Sequence, residues 1–271
     1  MAAARLPMPS PWIGIAASML CAFGWAWTLA AERAIPGEEM LSIPAFCGAW
    51  LSAALLREGS GFDQWLLLNP PIPLSLAWLG MLLAMMPLLL RQPAAYLWQR
   101  SLSRRRWRAI AMFVAGYFAV WMLAGTLLLA LAIGLQTWSA GLVMPLGIGA
   151  LVLALLWQAA PARQRALNRC HHQPRIAAFG WRADRDVLRY AATHASGCVA
   201  TCWVWMLLPL LVGPAHMPVM LAVTVLLAFE RTRPARAARW RWPLQEAKLL
   251  PGVMLRPGRN LAATALTSLQ S

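Results

Sequence analysis

Apolar residues in this chain gather into long runs, separated by short stretches that are either rich in arginine or neutral to acidic. An apolar run near 18 residues or more is long enough to cross a bilayer as a helix. On that basis the pattern predicts spans at about 11–31, 72–90, 109–134, 142–158, 191–212 and 215–229. The last is short and shares a tight Gly213-Pro214 turn with the span before it. The first has one cation ahead of it, Arg5, and no small-x-small cleavage site after it, so it reads as a retained signal anchor. One stretch, 41–56, is apolar but only 16 residues long and is interrupted by Pro44 and Gly48.

Composition agrees with a membrane chain. Of the 271 residues 60% are hydrophobic and 12% charged, where soluble domains carry about 25% charged residues. Yet the formal net charge is +15, from 24 Lys+Arg against 9 Asp+Glu. Segment 91–108 holds six arginines, segment 159–190 seven, and the chain from Arg231 onward seven arginines and Lys248. Segment 32–71 has only Arg33 and Arg57, against Glu32, Glu38, Glu39, Glu58 and Asp63. Cytoplasmic loops carry the excess of basic residues, so the charge is an orientation signal and not a nucleic-acid footprint. The expectation is an all-α polytopic transmembrane bundle of six spans in a bacterial inner membrane, with both termini cytoplasmic. Counting 41–56 as a span would break the alternation, which makes it an interfacial or re-entrant helix on the outer face. Residues 1–233 then form a single membrane domain. The Arg/Pro/Trp-rich tail 234–271 is expected to lie along anionic headgroups of the lipid bilayer.

The chain has no Walker loop, dinucleotide fingerprint, Gly-x-Ser-x-Gly elbow or HExxH, nor the broken-helix pair of transporters. Cys21 and Cys47 read as small apolar side chains. His194, Cys198 and Cys202 differ, because i, i+4, i+8 spacing stacks an imidazole and two thiols on one helical face. Thiolate and thioether ligands favour Cu(I) or another soft metal. The alternative is that the two cysteines pack the core and His194 caps the helix. Met81 and Met85, another i, i+4 pair, and Met86 fall at similar depth in the predicted fold, as do Tyr117 and Glu230, with which His194 could pair. Cys170 and His171 in the basic segment, and His216 at the outer turn, are weaker candidates: a metal site, or polar residues in loops.

Four blocks over about 78–234 carry a resemblance. They are Ala84-Met85-Met86-Pro87; Gly116-Tyr117 with Trp121; Arg165 to Cys170 followed by Pro174; and His194 to Met206, containing Cys198, Cys202 and Trp203. Gly213, Met220 and Glu230-Arg231 close the pattern. Together they resemble the bacterial domain-of-unknown-function 2182 family, described as predicted metal-binding integral membrane proteins. Ala166 stands where that family often has a first loop cysteine, and Thr201 where a middle cysteine often lies. The resemblance implies a six-span inner-membrane protein with a metal role, sometimes described as copper-handling.

The leading expectation is therefore a non-enzymatic protein that binds or delivers copper, or another soft metal, with a metal-donor or acceptor protein as partner and no nucleic acid. The alternative is a structural or assembly subunit that docks through its basic loops. A thiol-redox role through Cys198 and Cys202 stands third, against the absence of Cys-x-x-Cys.

Overall fold

The computed structural model describes residues 11–33, 71–138, 143–212, 215–232 and 235–240. The 41–56 stretch and, apart from 235–240, the tail lie outside the described residues. Among those described the chain is helical, without a strand: α1 (Pro11–Arg33), α2 (Pro71–Met85), α3 (Arg91–Arg100), α4 (Arg106–Trp138), α5 (Val143–Ala159), α6 (Pro161–Cys170), α7 (Gly180–Leu211) and α8 (His216–Arg231).

Among the described residues the apolar runs become helices, and two of the basic segments do as well. Segment 91–108 contains α3, and segment 159–190 contains α6 and the first turns of α7. Arg, Ala, Gln and Leu are good helix formers, so these basic stretches continue the helices instead of looping. Two prolines set the corners. Pro87 lacks an N–H to extend α2; a short 3-10 turn over Pro87–Leu90 follows, and the chain bends by 55° into α3. Pro161 occupies the first turn of α6, where a missing N–H is harmless, and α6 leaves α5 at 70°.

α1, α7 and α4 with its lead-in from Ser103 are long and apolar enough to cross a membrane, and the count reaches five if each bent pair is one span. The six expected spans are thus three to five by length and composition. α8, with 16 residues, is shorter than the roughly 18–20 apolar residues a straight crossing takes.

α7 is the central helix and packs against α4, α5, α6 and α8. In its most apolar stretch 78% of residues are buried, against 28% in α1 and 33% in α4. Those outer helices expose broad apolar surfaces, with Ile15, Met19 and Phe23 on α1 and Leu123 and Leu127 on α4. α1 crosses α2 at backbone contact, since a Cβ on Gly24 would collide with the backbone at Leu83 and Ala84. At the same crossing the Cys21 thiol donates to the Ala84 carbonyl at 2.8 Å.

The basic segments meet at one end of the bundle. Arg105 and Arg108 both pair with Asp184 in the first turns of α7. Tyr96 donates to the Pro174 carbonyl. Asn168 of α6 bonds the backbone of Arg236 in both directions, at 2.7 and 3.3 Å.

Candidate metal centre

Cys198 and Cys202 lie one turn apart on α7, both buried, with free thiols and their sulfurs 4.0 Å apart. The separation follows from i, i+4 spacing on a regular helix. It is about twice a disulfide bond length, and close enough for both sulfurs to reach one ion. Opposite them, α4 brings in Tyr117. Its hydroxyl lies 3.2 Å from the Cys198 sulfur and 3.4 Å from the Met86 sulfur, so one O–H is shared between a thiol and a thioether. Met86 stands at the Pro87 corner, where α2 ends and its sulfur can point across the core. Met81 and Met85 are fully buried in the same core, but the methionine that reaches Tyr117 is Met86.

His194 lies one turn before Cys198, its ring among those of Phe113, Tyr117 and Tyr190 at centroid distances of 5.9, 6.1 and 5.8 Å. It is 3% exposed, and neither ring nitrogen has a hydrogen-bond partner among the described residues. Leaving a buried polar atom unsatisfied costs about 1–3 kcal/mol, which marks His194 as more than a packing residue. The suggested pairing of His194 with Glu230 does not occur. Glu230 is instead held by a buried ion pair with Arg163 and by the amide of Gln158, whose oxygen accepts the Trp205 indole N–H at 3.0 Å. α6 places Arg163 there, so Glu230 is engaged by Arg163 and Gln158 and not by His194.

Cys170, the last residue of α6, packs onto α7 where Gly197 leaves room. A Cβ on Gly197 would approach its sulfur to 3.1 Å. The Cys170 thiol is 4.0 Å from the His194 carbonyl, which places it one turn from Cys198 on the α6 side. His171 follows it, its Nε2 buried without a partner. Burial and then the positive charge of Arg231 hold the His171 imidazole below its ordinary pKa, favouring the neutral ring. His216 is not part of this group. It opens α8 at the far end, about 22 Å from Arg231 by helical rise, and its Nδ1–H donates to the Pro209 carbonyl at 3.0 Å.

The sequence offers Arg231 only as the first cation of the basic tail and the end of a closing motif. It lies in the last turn of α8, buried, where its positive charge acts on Cys170, Cys198, Cys202 and Tyr117. Its Nη2 has no hydrogen-bond partner of normal geometry among the described residues. A buried cation without a carboxylate partner among the described residues is expensive, and the groups it faces can carry negative charge. Among the described residues no three His, Cys, Asp or Glu side chains stand close enough to enclose an ion by themselves. The candidate is therefore a two-thiol site with thioether, phenol and guanidinium around it.

The PpoB2 family, described as a copper chaperone, matches residues 75–253. The chain belongs to the PpoB2 copper chaperone family. The match runs from α2 through α8 and contains every residue of the cluster above. It bears out a metal-related family, as the sequence blocks implied. A copper chaperone binds and hands on a metal without chemical conversion, in keeping with a non-catalytic role and with a metal-transfer partner. No curated protein and no solved structure matches the chain.

Proposed function

We propose that this protein is a multi-pass copper-binding and copper-delivery protein of the bacterial inner membrane, holding Cu(I) on Cys198 and Cys202. The observation that carries it is the pair of buried free thiols 4.0 Å apart, with the Tyr117 hydroxyl bridging Cys198 to the Met86 thioether. With metal–sulfur bonds of about 2.3 Å, as for zinc thiolates, sulfurs at that spacing subtend about 120° at the ion. That is a trigonal angle, and it leaves a third position for a soft ligand such as Met86. Two thiolates and one Cu(I) sum to a single negative charge, which Arg231 would offset.

The membrane reading is supported by the exposed apolar faces of α1 and α4 and by the meeting of the basic segments at one end. We take that end as cytoplasmic, with six spans if α8 crosses. Copper analysis of purified protein is the test. Wild type is expected to bind one equivalent of Cu(I), and the Cys198→Ser, Cys202→Ser double variant less than a tenth of that. Equal copper in both overturns the reading.

A further inference from the structure

Between α7 and the 169–175 segment lies a cavity of about 540 Å³ that the thiol site does not use. Its size suits a small molecule. Arg169, Arg175 and Arg189 stand exposed around it with His172, and buried His194 forms part of its lining. None of these three arginines forms an ion pair with a described residue. The acid in the lining, Asp186, is committed to the Ala177 backbone N–H at 3.1 Å. The cavity thus carries a formal charge of about +2 before either histidine is counted. It leads inward to an imidazole with no hydrogen-bond partner for either nitrogen, one turn from Cys198.

We propose that this cavity admits the copper donor, and that the donor is an anionic Cu(I) complex of a carboxylate-bearing thiol. This rests on the copper reading of Cys198 and Cys202. The arginines bind the carboxylates, and His194 faces the metal as it passes inward. In the exchange, two copper–sulfur bonds to the donor thiolates break and two form to Cys198 and Cys202. The protons leaving those two thiols protonate the two departing thiolates. Copper stays in the +1 state, and the single negative charge passes from donor to site, toward Arg231.

The full chain, metal-free in phosphatidylcholine nanodiscs, is loaded either from Cu(I)–glutathione or from the cationic acetonitrile complex of Cu(I). Lining a cleft with one sign of charge changes association rates by about 10- to 1,000-fold. The triple variant Arg169→Gln, Arg175→Gln, Arg189→Gln is therefore expected to load at least ~10-fold more slowly from glutathione, and no more slowly, or faster, from the cationic acetonitrile complex, which the arginines repel. An unaltered rate from glutathione overturns the proposal. If the wild type loads from neither donor, the copper reading itself has failed. If the triple variant loads from neither, Arg175→Gln alone carries the test: a slowing of roughly threefold from glutathione is expected, and an unaltered rate overturns it. Copurifying anionic phospholipid that disappears in the triple variant, with the glutathione rate unaltered, assigns the cavity to a lipid headgroup and also overturns the proposal.

Discussion

Tyr117 touches Cys198 and Met86 with one hydroxyl, so Tyr117→Phe removes a donor from two sulfurs while keeping the ring packed on Phe113. Groups that hydrogen-bond metal ligands typically matter 10–100-fold in affinity. We expect Cu(I) affinity to fall by about that factor in competition against a chromophoric chelator, with the melting temperature nearly unaltered. An unaltered Kd would remove Tyr117 from the site. Arg163 belongs to stability instead. Arg163→Met strands buried Glu230 beside Gln158 alone, and breaking one side of a buried pair costs about 3–5 kcal/mol. Thermal unfolding in detergent should show the loss, and adding Glu230→Gln should restore part of it. At this scale the i, i+4 spacing made the thiol pair legible, because a helix turns spacing into contact. Arg163–Glu230 spans 67 residues and could not be read. Nor could Arg231, whose role depends on where α8 ends against α7.

Helices were legible as elements where their apolar runs are continuous, and their ends were not. The fifth predicted span begins at 191, yet α7 starts at Gly180, because its first turns are charged and satisfied by Arg105 and Arg108 through Asp184. The corners at Pro87 and Pro161 depend on what the next segment packs against, which a proline alone does not state. Glycines test the packing at this scale, and with opposite signs. A Cβ on Gly125 would collide with the Trp78 indole, which donates to the Trp121 carbonyl at 3.1 Å. Overpacking of this kind costs about 1–3 kcal/mol, so Gly125→Ala should lower the unfolding midpoint. Gly149 in α5 has nothing within 4 Å of an added Cβ. Gly149→Ala there should raise it, by roughly 0.5–1 kcal/mol from helix propensity alone. Finding the two shifts equal would mean that the α2–α4 contact is looser than the structure has it.

For the whole molecule, the decisive question is how many times the chain crosses. The sixth span is the weakest, since 16 residues of α8 rise about 24 Å, short of a hydrocarbon core of about 30 Å. A shorter helix can still cross by thinning the bilayer or by snorkelling of its flanking residues, and Arg231 stands at its end. The charge pattern predicts that α8 does cross, because the segment after it bonds α6 at the same end as the paired arginines. Leaving that end outside would put three arginine-rich segments on the wrong face. Single cysteines added for labelling in a Cys47→Ser background separate the cases, the native thiols of the described core being buried. A cysteine at Ala215, exposed just before α8, should react with a membrane-impermeant maleimide on intact spheroplasts. Cysteines at Arg175 and Arg239 should react only after permeabilisation. Labelling of Arg239→Cys from outside, with Arg175→Cys still protected, would place α8 as a helix that does not cross as drawn. It would also remove Arg231 from the cytoplasmic side of the thiol site, and with it the charge balance proposed there. Protection at both positions joins the metal site, the basic cavity and the chain's surplus of arginine on one face of the membrane, where a cytoplasmic copper donor would meet them.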